Sequence, residues 1–223
     1  MIEKAAGRTA LLAGATGLVG QHVLTRLLSS PRYRKVVVLV RRPLSVSSPR
    51  LEEHILDFDQ LTAFRSEPAP NDVFCCLGTT IRVAGSQAAF RKVDHDYPLA
   101  LARVAVSSRA ERFAMISSLG AAAGSKVFYS RIKGETEADI AALGLPRFWF
   151  LRPSLLAGDR VESRIGERIG LAVAGLIGPL MIGPLRRYRS IDADTVASAM
   201  LALAAGERPS GPVESDELQV LGA

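Results

Sequence analysis

The sequence has few of the residues that build disulfide frameworks or metal sites. Only two of its 223 residues are cysteines, Cys75 and Cys76, and because they are adjacent inside an apolar run they cannot join distant segments. This excludes the class of small disulfide-rich domains and is typical of a reducing compartment. The three histidines are His22, His54 and His95, and since no two of them have zinc-ligand spacing, no metal site is predicted.

Long hydrophobic runs and long charged runs are also missing. The longest apolar stretch, 170–185, is interrupted by glycine and proline, which favours a buried helix followed by a loop over a membrane span or contact with a membrane surface. The net charge is +6, from 28 basic and 22 acidic residues, but no basic run exceeds two residues. A nucleic-acid surface is therefore not predicted, and an anionic small molecule accounts for the charge.

The amino-terminal residues contain no apolar segment of the signal-peptide type, so we expect a cytoplasmic location. No long linker, low-complexity segment or long-period repeat divides the chain. The length suits one domain with a core large enough to be stable without disulfides or metal. We therefore expect a single domain over residues 1–223.

A glycine-rich stretch marks the first predicted turn. Gly14, Gly17 and Gly20 lie between the apolar run 10–13, which predicts a strand, and a helical pattern that begins at Val19. Glycine at such a turn lets a pyrophosphate approach backbone N–H groups at the start of the helix. The stretch predicts a dinucleotide site, although glycines at a purely structural turn would give the same pattern.

The second predicted strand, 35–40, is a β-branched run that ends at Arg41 and Arg42. At this point of a dinucleotide site, a carboxylate accepts from a free ribose 2′-hydroxyl, whereas arginine accommodates a 2′-phosphate. Because two guanidinium groups replace the carboxylate, the sequence predicts NADP(H) rather than NAD(H). The alternative is that the two arginines only begin a solvated loop.

Residues after the third and fourth predicted strands are expected at the same site. Asp57 follows strand 53–56 and is expected either to accept from the adenine amino group or to cap the segment that begins at Gln60. Gly78 follows strand 72–77, at the carboxyl edge where open α/β sheets bind ligands. From 86 to 109 the pattern is helical, and Pro98 predicts a kink or a break in it.

The fifth predicted strand, 112–116, brings Ser118 to the same edge of the sheet. Tyr129 and Lys133 lie one helical turn apart on the next helix, so both side chains point from one face. An ammonium group favours phenolate and lowers the pKa of a tyrosine, so Tyr129 is predicted to donate a proton to a carbonyl oxygen as hydride arrives. Ser118 would orient the carbonyl and share its developing charge. The alternative is a surface pair on an amphipathic helix.

These motifs together resemble the short-chain dehydrogenase/reductase superfamily. Segments 74–80, 93–97, 129–135 and 152–164 closely resemble the Tat-interacting protein group of its atypical members and their bacterial relatives. The resemblance implies a Rossmann fold, NADPH binding and oxidoreductase activity. It also implies that Lys133 binds the nicotinamide ribose. Ser118 precedes Tyr129 by fewer residues than is typical of the superfamily, so a short loop must bring the two hydroxyls together.

The resemblance further implies cofactor contacts for two arginines, Arg152 and Arg160, either of which would alternatively brace a lid through Glu162. The complete set of predicted cofactor contacts is Gly14, Thr16, Gly17, Leu18, Val19, Gly20, Arg41, Arg42, Asp57, Leu77, Gly78, Tyr129, Lys133, Arg152 and Arg160. The predicted catalytic residues are Ser118, Tyr129 and Lys133.

The predicted fold is α/β, a single-domain Rossmann fold with a doubly wound, mostly parallel sheet and helices on both faces. Segment 153–190 is expected to form a small substrate-side lid, followed by a helix at 194–205 and a last strand near Val213 or Leu218. The predicted function is an NADP(H)-dependent oxidoreductase acting on a small carbonyl or alcohol. The alternatives are a non-catalytic NADPH-binding sensor and an isomerase or epimerase that returns the hydride to its substrate.

Overall fold

A seven-stranded parallel sheet and a separate strand pair organise this computed structural model, which describes residues 7–157 and 183–223. The described strands are β1 (Arg8–Ala13), β2 (Tyr33–Val40), β3 (Leu51–Ile55), β4 (Asp72–Cys75), β5 (Arg112–Ile116), β6 (Phe148–Arg152), β7 (Leu156–Ala157), β8 (Ile191–Asp192) and β9 (Gly211–Glu214). The order in the large sheet is β3-β2-β1-β4-β5-β6-β9, and every adjacent pair is parallel. Because the chain moves outward from β1 first to one side and then to the other, the sheet is doubly wound, and the predicted Rossmann fold is confirmed.

Helices cover both faces of the sheet. The described α-helices are α1 (Leu18–Ser29), α2 (Ile81–Ala84), α3 (Gln87–Arg91), α4 (Tyr97–Ser107), α5 (Phe128–Ala141), α6 (Ala193–Ala205) and α7 (Ser215–Leu221). Helices α1 and α6 pack on one face, and α4 and α5 pack on the other. In β1, Ala10 and Leu12 belong to the first core layer, whereas Leu11 and Ala13 belong to the second. This alternation explains why a strand with two covered faces has a continuous apolar sequence.

Pro98 divides the helical pattern between 86 and 109, as predicted. Helix α3 is followed by one turn of π-helix at Lys92–Asp96, called the π segment below, and Pro98 lies in the first turn of α4. Proline has no N–H, so it cannot donate to the carbonyl four residues earlier, which is that of Asp94. That carbonyl accepts instead from the Thr136 hydroxyl of α5, at 3.0 Å.

The end of the chain completes the sheet. Val213 lies in β9, and the alternative strand at Leu218 is wrong, because that residue belongs to α7. Strands β7 and β8 pair with each other and not with the large sheet. The predicted lid, 153–190, lies largely outside the described residues. None of the helices in the described ranges combines the length and the hydropathy of a membrane span.

Candidate active site

The glycine turn brings β1 and α1 unusually close together. Gly14 has a φ of +89°, and a Cβ there would collide with the backbone carbonyl of Cys76. A Cβ on Gly20 would collide with the carbonyl oxygen of Gly14. The turn is closed by a 3.0 Å hydrogen bond from the N–H of Gly17 to the same oxygen. A side chain at Gly20 would therefore push α1 away from the turn, and a side chain at Gly14 would push the turn away from the end of β4.

The start of α1 is free of side-chain partners. Gly17 is the N-cap residue and supplies no side-chain hydrogen bond, and the first turn contains no acidic residue. The N–H groups that open the helix, including those of Leu18 and Val19, therefore have no capping side chain at the positive end of the helix dipole. Gly17 lines the cleft described below, whereas Leu18 and Val19 do not. This arrangement suits a pyrophosphate. Thr16 is exposed at the turn.

A cleft opens in front of this turn and has a volume of about 120 Å³. It is lined by Gly14, Ala15, Thr16, Gly17, Leu39, Val40, Arg41, Phe58, Cys76, Leu77, Gly78, Val93 and Tyr97. The structure therefore brings together predicted residues from the ends of β1, β2 and β4. Sequence reasoning missed Phe58, Val93 and Tyr97 as lining residues, because their apolar spacing indicated only core packing.

Arg41 lines the cleft, and Arg42 follows it without lining the cleft. Both are exposed, and neither guanidinium has a carboxylate partner within the described residues. The loop that follows is tied back to β3, because the Leu44 N–H donates to Glu53 at 2.8 Å. Asp57 accepts from the N–H of Asp59 at 3.0 Å and caps a 3-10 helix, which is the capping alternative of its two predicted roles.

The short loop between Ser118 and Tyr129 lies directly on α5. A Cβ on Gly134 would collide with the backbone of Ala122, and the Ala122 N–H donates to the Ser130 carbonyl at 3.0 Å. The approach of the Ser118 and Tyr129 hydroxyls to each other stays a prediction. The Ser118 hydroxyl has only a long contact, 3.4 Å, with a backbone carbonyl.

The neighbouring serine has a different environment. Ser117 is buried, and its hydroxyl donates to the buried carboxylate of Glu137 on α5. Of the two adjacent serines, Ser118 therefore keeps the hydroxyl that is free for a substrate. Its catalytic role stays a prediction.

Lys133 forms a buried ion pair with Asp94 of the π segment, Nζ to Oδ1 2.7 Å. Burial alone lowers the pKa of Lys133, but the charge of Asp94, followed by that of Tyr129, more than offsets this, so the pKa is raised above its ordinary value. A Cβ on Gly78 would lie 3.4 Å from the Asp94 carboxylate and 3.7 Å from the Lys133 ammonium. The ion pair therefore lies directly behind the backbone that lines the cleft.

Asp94 was not among the predicted site residues. The available signal was its place beside Phe90 and Tyr97 on the apolar face of a helical pattern, where a carboxylate needs a partner. The partner could not be read from the pattern.

Arg152 lies between two carboxylates. Its guanidinium donates to Glu137 and to Glu214, each at 3.0 Å, and the bonds to Glu137 are bidentate. Its cofactor contact stays a prediction. Arg160 and Glu162 lie outside the described residues. Both cysteines are unpaired, and burial raises the pKa of the Cys75 thiol to about 12, so this thiol is neutral.

Comparison with known proteins identifies the family of the chain. A sequence model of the NAD dependent epimerase/dehydratase family matches residues 10–219. The chain belongs to this family. Members that resemble it include the protein fmp52, mitochondrial, of Aspergillus fumigatus, 35% identical over 95% of this chain and 93% of that protein. The HTATIP2 protein of Rattus norvegicus is 35% identical over 74% of this chain and 69% of its own length, which confirms the resemblance to the Tat-interacting group.

Solved structures of the epimerase/dehydratase type share the fold. MoeE5, in complex with UDP-glucose and NAD, superimposes with a TM-score of 0.68 at 19% identity, covering 94% of this chain and 79% of that one. A UDP-glucose 4-epimerase of Thermotoga maritima gives 0.67 at 18% identity, covering 96% and 81%. At these identities the likeness concerns the fold alone.

The relatives correct one expectation. We expected a cytoplasmic location because no signal-peptide pattern is present, but the fungal relatives that match over nine-tenths of the chain carry mitochondrial in their names. The cytoplasmic prediction is therefore wrong. The signal-peptide pattern concerns secretion alone and does not distinguish among the compartments of the cell interior.

Proposed function

We propose that this protein is an NADP(H)-dependent oxidoreductase that transfers hydride to or from a small carbonyl or alcohol. The observation that carries the proposal is the buried Lys133 ammonium behind Gly78, one helical turn from Tyr129 and next to the cleft. Burial of an ammonium is costly unless its charge is paired, and the pair with Asp94 offsets this cost and keeps a charged ammonium beside the cleft. Membership of an NAD-dependent family supports the same reading.

The residues of the cleft fit a dinucleotide. The glycine turn and the start of α1 would hold the pyrophosphate, and Lys133 would hold the nicotinamide ribose at the other end. The preference for NADP(H) rests on Arg41 and Arg42, whose exposed guanidinium groups would bind a 2′-phosphate with charge-assisted hydrogen bonds. The nicotinamide, when bound, supplies or accepts the hydride.

The protein's own part in the reaction is proton transfer and orientation. Tyr129 would donate the proton that a carbonyl oxygen needs when it becomes an alcohol, and would accept it in the reverse direction. Ser118 would donate a hydrogen bond to the same oxygen and stabilise its developing charge. Lys133 would bind both the Tyr129 phenol and the ribose, because an ammonium has three N–H donors and the contact with Asp94 occupies one side of it.

A survey of substrates tests this proposal. We expect purified protein to bind NADPH and to oxidise it with at least one member of a panel of aldehydes, ketones and quinones. The loss of NADPH absorbance measures this oxidation. Tight NADPH binding without turnover on any member would instead favour a sensor that uses the same site only for binding. No affinity for either nicotinamide cofactor would contradict the proposal outright.

The family description favours one second candidate. An epimerase returns the hydride to its substrate, and the similar solved structures include such enzymes with NAD or a sugar nucleotide. This candidate predicts a tightly held cofactor, no net consumption of NADPH and inversion of a substrate carbon. Mass spectrometry of the small molecules that copurify with the protein distinguishes the two candidates.

A further inference from the structure

The π segment is held on α5 at three points. The Asp94 carboxylate pairs with Lys133, the Asp94 carbonyl accepts from Thr136, and His95 contacts Asp139 at 2.8 Å. The three α5 residues follow one another at intervals of three and share one side of the helix. Pro98 leaves the Asp94 carbonyl free for this contact. The break in the helix and the position of the Lys133 ammonium therefore have a common cause.

The Asp94 carboxylate contacts two groups at once, one in an ion pair and the other in a hydrogen bond. One oxygen lies 2.7 Å from the Lys133 ammonium, and the other accepts from the N–H of Thr79, immediately after Gly78, at 2.8 Å. Asp94 is 1% exposed, so water does not serve either oxygen well. An asparagine has one acceptor oxygen, and its NH₂ group would face a donor at the other position. The geometry therefore requires a carboxylate and not merely a polar residue.

We propose that Asp94 is a positioning residue for the reaction proposed above, fixing the Lys133 ammonium behind Gly78 and cancelling its charge so that the reactive proton stays on Tyr129. A lone ammonium would favour the phenolate, which suits removal of a proton from an alcohol. A neutralised ammonium keeps its hydrogen bonds but favours the phenol, which suits donation to a carbonyl. The inference rests on the proposed function and adds to it a pH range, because a phenol that keeps its proton supports carbonyl reduction up to a higher pH.

The other charged and titratable groups around this pair do not replace Asp94. From β4, Cys75 contributes a neutral thiol, and from α5, Tyr129 contributes the phenol itself. On the π segment, the His95 ring lies between the carboxylates of Asp96 and Asp139, at 2.8 Å from each. These three form a cluster of their own.

One turn further along α5, the Glu137 carboxylate is bound by Arg152 and by the Ser117 hydroxyl. Among the described residues, Asp94 is therefore the carboxylate that forms an ion pair with the Lys133 ammonium.

Removal of the Asp94 charge has a consequence that does not depend on which group titrates. The coupled pair of Lys133 and Tyr129 then lies in a site whose net charge is one unit more positive than in the wild type. Its first proton leaves at lower pH, whether it comes from the ammonium or from the phenol. Because the Asp94 carboxylate lies so close to the pair, we expect its removal to lower the pH of this first deprotonation by about one unit or more.

The test compares Asp94→Asn with Asp96→Asn. The control makes the same chemical change two residues along the π segment, at a carboxylate that is largely exposed and contacts His95 rather than Lys133. The first readout is the ultraviolet absorbance of tyrosinate against pH in cofactor-free protein. The chain has four tyrosines, so each titration is repeated with Tyr129→Phe added, and the difference isolates Tyr129. The second readout is the pH profile of NADPH oxidation.

In Asp94→Asn, we expect both the tyrosinate absorbance change of the Lys133–Tyr129 pair and the alkaline limb of the rate profile to move to lower pH. In Asp96→Asn, we expect both to stay in place. A uniform loss of rate or stability in Asp94→Asn with unmoved profiles would overturn the proposal, because a merely structural carboxylate would behave in that way. If Asp94→Asn does not fold, Asp94→Ser removes the same charge without directing an NH₂ group at the ammonium, and the same two outcomes apply.

The absorbance titration keeps this inference separate from the proposed function. A protein that binds NADPH without turnover would still show the shift of the tyrosinate signal if Asp94 neutralises Lys133. Turnover with an unmoved signal and an unmoved profile would leave the oxidoreductase in place and remove the role of Asp94.

Discussion

Two buried carboxylates lie at opposite edges of the same sheet and have different surroundings. At the amino edge, Asp72 is fully buried and accepts from Arg8 through two 2.8 Å bonds and from the Tyr33 hydroxyl at 2.8 Å, with Arg32 and Arg112 within 4 Å. At the carboxyl edge, Asp94 meets one ammonium and one backbone N–H. The first carboxylate is surrounded by several cations, and the second is matched by one.

The difference separates a charge cluster at the amino edge from one that lies beside the cleft. Around Asp72, burial and the charge of Asp72 raise the pKa of Tyr33 above its ordinary value, so that phenol remains protonated and serves only as a donor. Around Asp94, Gly78 leaves a backbone without a side chain between the ion pair and the cleft. Carboxyl edges of parallel sheets bind ligands, and the two clusters follow that rule.

The largest expected effect comes from a pair of tyrosine variants that remove the same atom at the two edges. Tyr129→Phe should reduce the rate of NADPH oxidation by about 10²–10⁴-fold, because it removes the proton donor, and should leave NADPH affinity nearly unchanged. Tyr33→Phe should lower thermal stability and leave the rate of the folded protein unchanged. Equal rates in Tyr129→Phe and the wild type would show that the proton comes from another group.

The second prediction concerns Asp72 itself. Asp72→Ala should lower the free energy of unfolding by about 3 kcal/mol, because it leaves the Arg8 guanidinium and the Tyr33 hydroxyl without their partner. Affinity of the folded protein for NADPH should not change, since the cleft lies at the other edge. Urea unfolding followed by Trp149 fluorescence, with NADPH titration of the same sample, measures both. A loss of NADPH affinity in folded Asp72→Ala would contradict the division between the two edges.

The sequence predicted the fold better than it predicted these clusters. Strand runs such as 35–40, the glycine turn and the break at Pro98 are local signals, because each depends on the chemistry of neighbouring residues. The partner of Asp94 lies 39 positions away, and Arg152 meets Glu137 and Glu214 on two other elements. Such pairs depend on how helices are placed against the sheet, which periodicity does not encode. The site could therefore be located from the sequence, but its charges could not be paired.

A third prediction compares arginines at the two ends of β2. The double variant Arg41→Ala/Arg42→Ala should weaken NADPH binding by about tenfold or more and leave NADH binding nearly unchanged, because the lost hydrogen bonds are charge-assisted and reach only the 2′-phosphate. Arg34→Ala is the matched control, since Arg34 is exposed at the amino end of the same strand. Titration of each variant with both cofactors measures the change. Wild-type protein that binds NADH as tightly as NADPH would contradict the assignment.

The smallest expected effect lies at the rim of the amino-edge cluster. A hydrogen bond from Arg8 lowers the pKa of Glu111 below its ordinary value, although half of the Glu111 side chain is exposed and solvent screens the pair. A carboxyl group whose pKa is lowered by folding stabilises the folded state above its unfolded pKa, and this contribution is lost as the pH falls through the folded value. Glu111→Gln should therefore cost less than about 1 kcal/mol at neutral pH, and its difference from the wild type should vanish in acid. Urea unfolding of both proteins across this pH range measures the difference. A deficit that persists undiminished in acid would mean that Glu111 stabilises the edge through packing and not through its charge.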